Sequence, residues 1–154
     1  MPTDPFLDDG SRIVTLEAFD FIFRNELKRA VRAQNFLTLL MLETTPVPKH
    51  ERAPVMRQLA GLVGGDVRET DLVAEGDAGR VWVLLLDTDL RNSMSVVDRL
   101  LSRFRHFGFS TPIGIEIGAA CCPTHGADVE SLRRAAETRP VHPRRDTRGN
   151  ASNA

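Results

Sequence analysis

Two apolar runs around a short turn, Leu72-Val-Ala74 and Val81-Trp-Val-Leu-Leu-Leu86, flank Glu75-Gly-Asp-Ala-Gly79. Apolar segments on either side of a glycine-bearing turn predict a β-hairpin. Upstream, Phe36-Leu-Thr-Leu-Leu-Met-Leu42 is short, almost wholly apolar and bounded by turn residues, so it predicts a buried central strand. Downstream, Ile113, Ile115 and Ile117 alternate with Gly114 and Glu116, predicting a strand with one favoured face.

Helical spacing fills the gaps between these strands. Phe19, Ile22, Phe23, Leu27, Ala30 and Val31 form a stripe that begins after Thr15 and ends at Gln34-Asn35. A second helix is expected to follow Pro54 at a first-turn position, with Val55, Met56, Leu59, Leu62 and Val63 inward and Gly64-Gly65 at its end. A third carries Met94, Val97, Leu100, Leu101 and Phe104. A fourth is capped by Asp128, with Val129, Leu132 and Ala136 inward. The order α–β–α–β–β–α–β–α predicts an α+β fold, a mainly antiparallel central sheet flanked by helices.

The 154 residues suit one domain with short extensions. Residues 1–9 hold two prolines and three aspartates and read as a flexible lead-in. The domain is assigned to 10–137. Residues 138–154 contain Pro140, Pro143 and four arginines, and read as a disordered tail. A net charge of −1 argues against nucleic acid, and no apolar run is long enough to span a membrane. The start of the chain lacks a secretory signal pattern, and the adjacent Cys121 and Cys122 suit a reducing compartment. A cytoplasmic location is expected. His50, His106, His125 and His142 show no metal-ligand spacing. Trp82 faces either the core or a contact surface.

Five phrases in order resemble the GGDEF domain family, the diguanylate cyclases: Glu26–Arg32, Leu39–Glu43, Val67–Ala74, Val83–Asp89 and Ile115–Ala120 followed by Pro123–Gly126. The resemblance covers roughly residues 8–137. It implies a nucleotidyl-cyclase-like palm and a bacterial signalling setting. It also implies an enzyme that joins two GTP molecules across a dimer, with carboxylate-held divalent ions.

This chain departs from that pattern where the chemistry lies. The five signature positions are Asp77, Ala78, Gly79, Arg80 and Val81. Two glycines are replaced by Asp77 and Ala78, one acid is lost at Gly79, and another is reversed in charge at Arg80. Of the metal carboxylates only Glu43 remains, as a remnant. Pro46–His50 replaces the phosphate-gripping region, and Arg52-Ala53 replaces the pair whose carboxylate reads guanine. The expectation is therefore no catalysis, no metal and no cofactor.

The family's inhibitory product site is marked by Arg-x-x-Asp five residues before the signature turn. It has a counterpart in Arg68 and Asp71, and Arg99 matches the second arginine. The implied ligand is cyclic di-GMP. A guanidinium fork suits phosphate or a guanine edge, and a carboxylate accepts from guanine donors. Arg68 and Asp71 also fit a solvated surface pair. Two readings stay open. One is a cyclic di-GMP receptor signalling to a partner protein, with homodimerisation compatible. The other is an interaction module without ligand.

Overall fold

The computed structural model describes residues 13–146. The expected lead-in, 1–9, and the chain beyond 146 lie outside the described residues. In order, the elements are α1 (Leu16–Ala33), β1 (Leu37–Thr44), α2 (Lys49–Gly64), β2 (Leu72–Glu75), β3 (Arg80–Leu86), α3 (Leu90–His106), β4 (Gly114–Cys122), α4 (Val129–Thr138) and β5 (Pro140–Asp146). The strands form one sheet in the order β2-β3-β1-β4-β5, with every neighbouring pair antiparallel. This is the expected α+β arrangement, with β1 at its centre.

Alternation along the strands sorts the core into two layers. Leu40 and Leu42 of β1 join Val81, Val83 and Leu85 of β3 and Ile115 and Ile117 of β4 under α2 and α3. Leu37, Leu39 and Met41 join Trp82, Leu84, Ala120 and Cys122 under α1 and α4. Both faces of β1 are therefore covered, which explains why its sequence is an unbroken apolar run rather than an alternating one. The same holds for β4. Its isoleucines define one face as expected, but Ala120 and Cys122 bury the other. Each fully buried aliphatic side chain contributes about 1.5–3 kcal/mol relative to exposure.

The helix ends follow local chemistry. The Thr15 side chain accepts from the Ala18 N–H at 3.1 Å, and Gln34 closes α1 in the left-handed region at φ 59°. Asp89 caps α3 through the Asn92 N–H at 2.8 Å, and Asp128 caps α4 through the Ser131 N–H at 2.8 Å.

Two boundaries differ from the sequence expectation. Helix α2 begins at Lys49, so Pro54 lies inside the helix rather than in its first turn. A proline there removes one intrahelical bond but does not stop the preceding turn from forming. The chain also does not lose structure at 138. Helix α4 reaches Thr138, and β5 then pairs with β4 at the sheet edge, with register irregularities around Ile117. Pro140 and Pro143 exclude a helix, as expected, but an edge strand tolerates residues without an N–H.

One close approach fixes the seat of α4. A Cβ on Gly118 would lie 1.8 Å from the carbonyl oxygen of Ala136, so only glycine lets α4 settle on β4.

Candidate functional site

The hairpin between β2 and β3 presents the positions singled out in the sequence. It closes through the Gly76 N–H, which donates to the Arg80 carbonyl at 2.8 Å. Ala78 and Gly79 both have positive φ, 59° and 73°. Gly79 lies against β1. Its carbonyl accepts from the Thr44 N–H at 3.0 Å, and a Cβ there would meet Thr44 Oγ1 at 2.8 Å. Backbone and neighbour alike favour glycine at 79.

Arg80 faces Glu43 directly in the β1–β3 register. Its Nε donates to Glu43 Oε2 at 3.4 Å, and its Nη1 donates to Glu137 Oε2 at 2.9 Å, next to the end of α4. One guanidinium therefore sits between two carboxylates from different elements. Beside it opens a cleft of about 440 Å3, lined by Glu43, Thr44, Thr45, Arg52, Ala78 and Gly79. Asp77 and Ala78 are exposed at the hairpin tip, while Val81 is buried in the core under α2 and α3.

The second constellation lies where the loop after α2 enters β2. Asp71 is 4% exposed. Its Oδ2 accepts from the Arg68 backbone N–H at 3.0 Å, and its Oδ1 accepts from the Leu86 N–H at 3.0 Å. The Arg68 side chain adds longer bonds to both oxygens, from Nε at 3.3 Å and Nη2 at 3.4 Å. Arg68 Nη2 also donates to Thr88 Oγ1 at 2.9 Å and to the Leu86 carbonyl. Together these bonds tie the entry of β2 to the exit of β3.

Arg99, on α3, bonds to Asp66 rather than to Asp71. Its Nε donates to Asp66 Oδ2 at 2.9 Å and its Nη2 to the Asp66 carbonyl at 3.0 Å. Arg103, one turn further along α3, donates to Asp66 Oδ1 at 3.2 Å. Asp66 thus draws two α3 arginines to the loop that carries Arg68, two positions away. The side chains of Arg68, Arg99 and Arg103 keep 58%, 51% and 52% exposure, so each guanidinium is anchored on one side and open on the other.

Sequence reasoning named Arg68, Asp71 and Arg99 but missed Asp66, Thr88, Arg103 and Glu137. Arg103 had a signal, its spacing of four after Arg99 on an amphipathic helix. Asp66 carried no signal of its own, since its partners lie 33 and 37 positions away.

The remaining candidates are structural. Trp82 is buried among α1 and α4, with the Arg133 guanidinium 5.5 Å from its ring centroid. Cys121 and Cys122 are buried free thiols, and burial pushes the Cys122 thiol up from its ordinary value. His125 Nδ1 accepts from the Cys121 N–H at 2.9 Å. Among the described residues no three His, Cys, Asp or Glu side chains form a group that could hold a metal ion, and no helix is long and apolar enough to cross a membrane.

No family model matches the chain, and no curated protein matches it. Solved structures do. A DGC protein from Thermotoga maritima superposes with a TM-score of 0.74 at 17% identity, covering 90% of this chain and all of that one. The FimX GGDEF domain from Pseudomonas aeruginosa gives 0.74 at 17%, covering 86% and 89%. The GGDEF domain of DgcB from Caulobacter crescentus, solved in complex with c-di-GMP, gives 0.69 at 13%, covering 89% and 88%. The two constellations at the β2–β3 hairpin and the Asp66–Asp71 loop therefore sit on a GGDEF-like domain.

Proposed function

We propose that this chain is a catalytically silent GGDEF-like domain. In this reading it binds cyclic di-GMP at Arg68 and Arg99 and passes the bound state to a partner protein. The observation that carries the reading is Asp66 gathering Arg99 and Arg103 from α3 onto the loop that also carries Arg68, with all three side chains about half exposed. The ligand offers two phosphates and two guanines, and anchored guanidinium forks match both groups with little entropy left to lose. Asp71 acts here as a positioning residue. Its oxygens face the Arg68 and Leu86 amides, so it orients Arg68 rather than touching the ligand. That a domain of the same fold, from DgcB, holds c-di-GMP supports the choice of ligand.

The silence rests on the signature hairpin. The residues present do not suit divalent ions: position 79 has no side chain, and Arg80 pairs with the remnant Glu43. A fixed cation within reach of that carboxylate repels a metal ion where the family needs one.

A ligand-free interaction module is the second reading. It is favoured by Asp71 itself, whose bonds to backbone amides of both hairpin strands' flanks give Arg68 and Asp71 a purely structural role. Thermal unfolding with and without cyclic di-GMP separates the two. A ligand that binds only the folded state raises the midpoint. The receptor reading expects a rise in the wild type that shrinks in Arg99→Ala. The interaction module gives no rise in either.

A further inference from the structure

We propose that Arg103 is a further ligand-binding residue: with Arg99 it forms a pair, held by Asp66, that grips one phosphodiester of the ligand. The proposal rests on the receptor reading of the same site and adds a contact to it.

Helix α3 buries Val97, Leu100, Leu101 and Phe104. Arg99 and Arg103 lie off that stripe and are exposed. Four positions apart on a helix, their Cβ atoms stand about 5–6 Å from one another. Two like charges at that spacing repel. Asp66 offsets the repulsion from a side chain that is only 7% exposed, its Oδ2 accepting from Arg99 Nε at 2.9 Å and its Oδ1 from Arg103 Nε at 3.2 Å. One carboxylate against two guanidiniums leaves one positive charge over.

The two arginines are engaged unevenly. Arg99 is committed through Nε and, to the Asp66 carbonyl, through Nη2, whereas Arg103 is committed through Nε alone. Among the described residues Asp66 is the one acid that either guanidinium bonds, and Nη1 and Nη2 of Arg103 make no hydrogen bond. Arg103 thus keeps both terminal amino groups of its fork for a ligand. The last turn of α3 also holds Arg105 and His106. Cations there suit the helix dipole without any anchor. His106 bonds only within the helix, to the Ser102 carbonyl at 2.8 Å. The anchor on Arg103 is what the dipole does not account for.

The arrangement suits an anion with two acceptor oxygens on one centre. A phosphodiester carries one negative charge over two non-bridging oxygens. One of them can accept from Arg99 Nη1 and the other from the Arg103 fork, both as charge-assisted bonds. Its charge matches the one that Asp66 leaves over. Both guanidiniums are tied through Nε beforehand, so little side-chain freedom remains to be lost on binding.

Calorimetric titration of the full chain with cyclic di-GMP, beside thermal unfolding without ligand, tests this. Arg103→Ala is expected to bind about tenfold more weakly than the wild type, the loss of a charge-assisted contact. Its ligand-free midpoint should fall by no more than about 4 °C. Arg105→Ala removes the same charge two positions along and should bind within about twofold of the wild type. In an Arg99→Lys background, Arg103→Ala should still weaken binding by at least about threefold, because it touches the ligand in its own right. Should Arg103→Ala not fold, Arg103→Gln, which keeps the stem, takes its place. Wild-type affinity in Arg103→Ala, beside weak binding in Arg68→Ala and Arg99→Ala, would overturn this inference and leave the receptor reading standing. Equal losses in Arg103→Ala and Arg105→Ala would overturn it as general charge attraction. No further loss in the Arg99→Lys background would overturn it by making Arg103 a support for Arg99 alone. No heat in the wild type would overturn the receptor reading and this inference with it.

Discussion

Arg80 and Glu43 face one another across the centre of the sheet, with Nε 3.4 Å from Oε2, at the register position next to the hairpin. The same guanidinium reaches Glu137 at 2.9 Å. A basic residue has thereby become the cation at a place where the resembling family uses carboxylates to hold one. All three side chains are roughly a third exposed, so the pairs are solvent-screened and each contributes about 0–1 kcal/mol.

Arg80→Ala removes both pairs and should therefore lower stability by no more than about 2 kcal/mol in urea unfolding. Arg80→Glu should cost more, because it sets like charges directly opposite one another on neighbouring strands. Neither variant should form cyclic di-GMP from GTP and Mg²⁺, since position 79 still supplies no carboxylate. Product formation by the wild type that is lost in Glu43→Ala would contradict the silent reading.

Asp71 and Arg68 should separate in their effects on stability. Asp71→Ala leaves two backbone N–H groups without their acceptor, at a cost of about 1–3 kcal/mol each if they stay dry. Arg68→Ala removes a half-exposed partner and should cost about 1 kcal/mol. Denaturant midpoints that rank Arg68→Ala as the worse variant would show that the loop is not held as described.

Two glycines give a graded pair. Gly79→Ala forces a positive φ on alanine and crowds the movable Thr44 hydroxyl, for an expected loss of about 1–2 kcal/mol. Gly118→Ala pushes into the Ala136 backbone, which cannot rotate away, so α4 must leave its seat. It should be the more damaging of the two by thermal unfolding. A Gly118→Ala protein as stable as wild type would contradict the packing of α4 on β4.

Acid sensitivity should centre partly on His125. Burial, and secondarily the Arg139 charge, lower its pKa from the ordinary 6.5. Its Nδ1 accepts from the Cys121 N–H, which requires an unprotonated nitrogen. The unfolded chain then binds the proton more readily than the folded one. This stabilisation is fully present above pH 6.5 and is lost as pH falls from there through the lower folded value. His125→Gln should flatten the stability curve across that window relative to wild type. Parallel curves for the two proteins would remove His125 as the cause.

How far the sequence carried the reading depended on whether the signal was local. The β2–β3 hairpin, the apolar run of β1 and the Asp128 cap are written within a few residues, and each was legible. Strand β5 was not. Pro140 and Pro143 announce only what they forbid, and their tolerance at a sheet edge depends on β4, more than twenty residues away. The start of α2 was misplaced because Pro54 suits a first turn so well. At the sites, Arg80 was legible as a reversed charge, but its bond to Glu137 spans 57 positions and leaves no local pattern. Asp66 escaped notice for the same reason, since Arg99 and Arg103 come to it from 33 and 37 positions away.

The central claim is a silent domain that binds cyclic di-GMP through Arg68 and Arg99. Isothermal titration calorimetry of the full chain with cyclic di-GMP tests it most directly, with Arg68→Ala and Arg99→Ala beside the wild type. The account predicts saturable heat in the wild type and about tenfold or weaker affinity in each variant, the loss of a charge-assisted bond worth ~1.5–3 kcal/mol. No heat in the wild type at high micromolar ligand, or equal affinity in all three proteins, would contradict it.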